Sequence, residues 1–270
     1  MPAERIAENL AFINWTILSG LAIGSYGAVV LGWLRTTATR GYLGFVSFTA
    51  AVFGYLAWLS DGALPISDGA WERPRSVALG LFAGLAFVTV IAIARGARSR
   101  PLAAAGLGVG LFALLAAAAS WGGSNLGSAL LFVQLVVLAA ATGGVWAAMI
   151  LGHWYLVTPK LPEAPLVLFA RLLLGVVGLQ VFLFVAWLAT GAGPSGRAGF
   201  AELTGPWALF LWLRLVVGLL FPLIVSWAAI QTARTRSMES ATGLLYINVG
   251  SIAAGTILAA GLYFGAGILA

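Results

Sequence analysis

Eight long apolar runs, at residues 11–34, 43–60, 76–94, 102–121, 126–157, 166–190, 207–231 and 242–269, leave this chain few ways to fold. A bilayer core ~30 Å thick takes about 20 apolar residues to cross as a helix, and a helix satisfies its own backbone there. Each run meets that length or comes close. None alternates apolar with polar residues as the strands of a membrane barrel would. Charged residues make up 8% of the chain, against about 25% in soluble domains. The expected fold class is therefore all-α: a polytopic membrane protein of eight transmembrane helices.

Turn-forming stretches bound the runs. Asp61-Gly-Ala-Leu-Pro65 and Gly191-Ala-Gly-Pro-Ser-Gly196 end two spans, while Arg95-Gly-Ala-Arg-Ser-Arg-Pro101 and Pro159-Lys-Leu-Pro162 are tight connectors. Arg35, Arg40, Arg95, Arg98, Arg100, Lys160, Arg234 and Arg236 fall on one side of the resulting topology. The other side holds Arg5, Arg73, Arg75 and Arg197 with most of the acids: Glu4, Glu8, Asp61, Asp68, Glu72 and Glu202. The positive-inside rule makes the first side cytoplasmic and turns both termini outward. This suits a protein of a bacterial inner membrane. The N-terminal Met1-Pro-Ala-Glu-Arg-Ile-Ala-Glu8 lacks a basic leader pattern, so no cleaved signal peptide is expected.

The halves match in order. Leu31-Gly32-Trp33 lies over Leu151-Gly152-His153, and Ala57-Trp58-Leu59 over Ala186-Trp187-Leu188. Gly84-Leu-Ala-Phe87 lies over Gly218-Leu-Leu-Phe221, and Ala97-Arg-Ser-Arg100 over Ala233-Arg-Thr-Arg236. The offset grows along the chain. Residues 1–121 and 122–270 are thus expected to be two repeated four-helix bundles, related by an axis along the membrane normal because each holds an even number of spans. The pairs Gly20/Gly24, Gly106/Gly110 and Gly261/Gly265 have the spacing that lets membrane helices approach closely. Pro222, inside the seventh run, should kink it and free a carbonyl. Trp15, Trp58, Trp71, Trp121, Trp154, Trp187 and Trp207 fall near run ends, as an interfacial aromatic belt does.

Ionisable groups at membrane depth point to function because burying them is expensive. Three stand out, all in the second half: His153, the only histidine, near the cytoplasmic end of the fifth span; Arg171 in the sixth; and Arg214 in the seventh. Their counterparts by offset, Trp33, Tyr42 and Gly80, are uncharged, so the second half alone is expected to hold buried charge. Snorkelling of either arginine to the headgroups is the structural alternative. Gln134, Gln180 and Asn248 suit interhelical hydrogen bonds, and Glu163 or Glu239 could pair with Arg171, Arg234 or Arg236. The expected quinone or ligand pocket, at the cytoplasmic end of the second bundle, comprises His153, Tyr155, Arg171, Glu239 and Tyr246, with Arg214 and Gln180 as secondary candidates. A titratable imidazole beside a fixed cation can donate to a quinone carbonyl and couple reduction to protonation. Haem ranks behind quinone, with His153 and Met238 its one candidate ligand pair.

Without cysteine there is no thiolate iron–sulfur or zinc site. No nucleophilic triad or phosphate loop is visible. The basic residues sit in short loops, where orientation explains them, so nucleic acid is not an expected partner. The stretches 152–159 and 237–243 look like signatures of some family, without naming one. Eight spans in two bundles with both termini outward resemble the NrfD/polysulfide-reductase and DMSO-reductase membrane anchors. The resemblance is architectural, covers the whole chain and carries over no residue. It implies a subunit of a respiratory or photosynthetic electron-transfer complex, exchanging electrons between quinone and partner subunits or scaffolding them. An anion or small-solute transporter and a structural or assembly factor remain the alternatives.

Overall fold

The computed structural model describes residues 1–65, 69–97, 99–158, 161–194, 196 and 199–270. Asp68, Arg98, Lys160 and Arg197, used in the charge count, lie outside them. Among the described residues there is no strand, and eight helices are long and apolar enough to cross a membrane. The chain is an all-α integral membrane protein. A short α1 (Pro2–Glu8) precedes α2 (Leu10–Arg35), α3 (Arg40–Asp61), α4 (Glu72–Ala94), α5 (Arg100–Trp121), α6 (Asn125–Val157) and α7 (Ala164–Thr190). The seventh span is split into α8 (Ala208–Leu215) and α9 (Phe221–Arg234), and α10 (Met238–Ala266) completes the set. Side-chain caps set several starts: Thr39 accepts from the Tyr42 amide, Ser99 from Leu102 and Ser124 from Gly127.

Within each half the four spans close a ring. In the first, α2, α3, α4 and α5 pack in order, and α5 returns to α2; in the second, α6, α7, α8–α9 and α10 do the same. The most extensive helix contact in the molecule joins the rings, α2 against α6. Lipid offers no hydrophobic drive for association, so such a seam depends on close packing. A Cβ built on Gly24 would overlap the carbonyl oxygen of Ala139, and one on Gly143 would overlap the backbone of Gly24 and Ser25. The other expected glycine pairs also make room for neighbours: Gly106 for the Tyr26 ring, Gly110 for Phe82 and Ile23, and Gly261 and Gly265 for α1 and Trp207.

Between α8 and α9 the chain widens into a π-helical turn, Val216–Leu220, which ends one residue short of Pro222. The wide turn relieves the clash a proline ring makes in a regular helix. The tryptophans divide. Trp58 and Trp71 are exposed as a belt requires, but Trp15, Trp187 and Trp207 are buried inside the bundle. For those three the belt assignment is corrected: each is a packing residue.

Candidate functional site

At 33 residues α6 is the longest helix, about 50 Å at 1.5 Å per residue, and outruns a bilayer core of ~30 Å. Its last turns reach the connectors, and there the two stretches with a signature look meet. Gly152 lies against Thr242: a Cβ on it would sit 2.7 Å from the threonine Oγ1. Tyr155 is buried, and its hydroxyl donates to the Pro162 carbonyl. A groove of about 480 Å³ opens beside it, lined by Tyr155, Leu156, Arg236, Ser237, Met238 and Glu239.

Arg236 lines this groove and links it to the α6–α7 connector. It follows α9 with φ +60°, the one non-glycine residue in the left-handed region among those described. The Ser237 amide bonds back to the Thr232 carbonyl and the Arg236 amide to Ala233, the paired bonds of a Schellman turn, whose left-handed position usually falls to glycine. A side chain there costs roughly 1–2 kcal/mol. The arginine is held where glycine would be easier, and its side chain reaches the α6–α7 connector: Nη2 donates to the Leu161 carbonyl at 3.3 Å, and Nη1 lies 3.7 Å from Glu163.

Of the five expected pocket residues, the structure brings Tyr155 and Glu239 together. His153 precedes Tyr155 by two residues, a rotation of about 200° on a helix, and is exposed outside the groove. Arg171 and Tyr246 are likewise exposed and outside its lining. Glu163 pairs with Arg236, while among the described residues neither Arg171 nor Glu239 makes an ion pair.

The secondary candidates form a separate interior cluster. Arg214 is 2% exposed, so it does not snorkel. Its Nη2 donates to Gln180 Oε1 at 2.8 Å and its Nη1 to the Gly218 carbonyl at 3.3 Å, while Gln180 Nε2 donates to the Val137 carbonyl at 3.2 Å. Gln134 Oε1 and Arg214 Nε are buried without a partner. Gln134, Gln180, Trp187 and Arg214 surround a cavity of only about 10 Å³, space for one water at most. Asn248, also expected as a bridge, donates to Ser226 at 2.8 Å.

Buried charge is not confined to the second half. Arg75 Nε lies 2.6 Å from Asp61 Oδ1 with both side chains 4% exposed, and Trp15 Nε1 donates to the same oxygen at 2.9 Å. The Arg75 guanidinium stacks 4.8 Å from the Trp121 ring, which meets Trp15 edge-on. The expected asymmetry between the halves is thereby corrected: Asp61 and Arg75, counted as loop charges, fold inward because α3 and α4 pair along their length. An acid at the end of one helix and a base in the first turn of the next was the available signal. Among the described residues no group of three or more His, Asp or Glu is placed to hold a metal ion. Searches against family models, curated proteins and solved structures found no match to the chain.

Proposed function

We propose that this chain is the membrane-integral subunit of an electron-transfer complex, and that the groove beside Tyr155 receives the head group of a quinone. The observation that carries the reading is the make-up of that groove. Leu156, Met238 and the Tyr155 ring supply an apolar wall for a flat ring, while the Arg236 guanidinium supplies a donor for its carbonyls; the Ser237 hydroxyl, already donated to Ser240, offers its lone pairs. Glu239, exposed and without an ion pair among the described residues, is the group available to exchange a proton as the ring is reduced or oxidised. In this reading the proton carrier is Glu239 in place of His153. The location at the ends of spans lets an isoprenoid tail remain in the bilayer. The connectors between the spans are too short to hold a redox domain, and in this reading partner subunits bring the remaining centres. The membrane is proposed to be a bacterial inner membrane, with the Tyr155 groove on the cytoplasmic side and both termini outside.

Nothing in the geometry favours the anion-transport alternative. Arg214 is enclosed by a cavity of about 10 Å³, and the α2–α6 seam is closed by backbone contact. The test is purification in mild detergent, with quinone extraction and identification of co-purifying chains. The proposal expects about one quinone per chain, at least one redox partner, and a several-fold loss of quinone in Glu239→Gln. A quinone-free chain without partners would overturn it in favour of a structural factor.

A further inference from the structure

On the membrane-facing surface of the first half, α3 and α4 enclose a groove of about 650 Å³. Its walls are apolar and aromatic, with Phe48, Tyr55 and Trp58 from α3 and Phe87 from α4, and its floor includes Gly80 and Gly84. A Cβ on Gly84 would meet nothing within 4 Å, so the absence of a side chain leaves open space. From Trp58 to Phe48 the groove runs about 15 Å along the helix at 1.5 Å per residue. That is half of a ~30 Å hydrocarbon core, the depth of one leaflet. A crossing helix of a partner would need a groove about twice as long.

The same stripe of α4 carries a charge. At about 100° per residue Arg73, Gly80, Gly84 and Phe87 fall within a band roughly 60° wide. Arg73 is exposed, stands about 10 Å beyond Gly80 toward the end of the helix, and makes no ion pair among the described residues. Trp58 and Trp71, both exposed, mark that end as the headgroup level. We propose that this surface is a binding site for an anionic phospholipid, with its phosphate at Arg73 and one acyl chain in the α3–α4 groove. The site is independent of the quinone reading, since the two grooves share no residue.

The experiment uses the full chain in nanodiscs of mixed phosphatidylglycerol and phosphatidylcholine, followed by native mass spectrometry of retained lipid. Wild type is expected to retain phosphatidylglycerol in preference. Arg73→Gln should lower that retention about fivefold, the contribution of one basic residue at a membrane surface, with a smaller effect on phosphatidylcholine, whose choline offsets its phosphate. Gly84→Leu, which fills the groove, should lower retention of both. Both positions are exposed, and either variant alone is decisive if the other does not fold. Unchanged phosphatidylglycerol preference in Arg73→Gln, or unchanged lipid retention in Gly84→Leu, overturns the proposal. So does a dimer that Gly84→Leu dissolves without loss of lipid, which would assign the groove to a second copy.

Discussion

The guanidinium of Arg214 donates to the Gly218 carbonyl at 3.3 Å, and that carbonyl lies four residues before Pro222, which has no N–H to offer it. Arginine and proline are thus two parts of one device. The wide turn at Val216–Leu220 makes room for the proline ring, and Gly218 lies so close to Gly255 that a Cβ would sit 2.6 Å from its Cα. The arginine has no carboxylate within ion-pair distance among the described residues, so its place in the fold rests on hydrogen bonds to Gly218 and Gln180.

The pairing predicts a coupled effect. Pro222→Ala restores an amide that reaches the Gly218 carbonyl where the wide turn relaxes to α-helical register, so Arg214→Met should be less destabilising in that background than in wild type. The expected coupling is about 1 kcal/mol, one hydrogen bond's net worth. A double-mutant cycle of unfolding in detergent measures it, and additive effects would separate the two residues.

At the α2–α6 seam a single methyl group should be felt. Gly24→Ala forces a Cβ onto the Ala139 carbonyl and is expected to cost about 1–3 kcal/mol, as overpacking does. Gly84→Ala, with open space around it, should stay within about 0.5 kcal/mol of wild type. Thermal unfolding of both variants in one detergent gives the comparison.

Removing the acid of the first-half pair should be severe. Asp61→Ala leaves Arg75 buried and uncompensated, and the expected loss is about 3–5 kcal/mol. Replacing both residues, as Asp61→Ala with Arg75→Met, should recover much of it, because the stranded charge is gone. The same unfolding assay reads this, and a double variant as unstable as the single would assign the loss to the Trp15 bond or to packing instead.

Arg236→Gly separates backbone ease from side-chain role. Glycine takes the left-handed conformation without the side-chain penalty, which offsets loss of an exposed ion pair worth about 0–1 kcal/mol. Stability should therefore hold while quinone retention falls, measured by extraction from the purified variant. Unchanged retention would remove Arg236 from the site.

The spans were legible because a bilayer imposes a length on apolar sequence that little else imposes. Gly24 and Pro222 were legible for related reasons: glycine spacing and a missing donor have local consequences. The Asp61–Arg75 pair was not, since both residues sit at helix ends, where charges ordinarily face water, and only the pairing of α3 with α4 turns them inward. His153 was conspicuous as a lone residue type, yet packing sets the rotation of α6 about its axis. That packing faces Tyr155 into the groove and leaves His153 outside it. The Glu163–Arg236 pair was among the pairings the sequence allowed, but the left-handed backbone at Arg236 was not legible, because it follows from the turn closing α9.

Photolabelling with an azidoquinone, followed by peptide mapping, tests the central claim most directly. The account predicts that the label falls on residues 155–156 or 236–239, is displaced by excess unlabelled quinone, and falls several-fold in Glu239→Gln. Labelling that maps elsewhere on the chain, or that excess quinone does not displace, would contradict it.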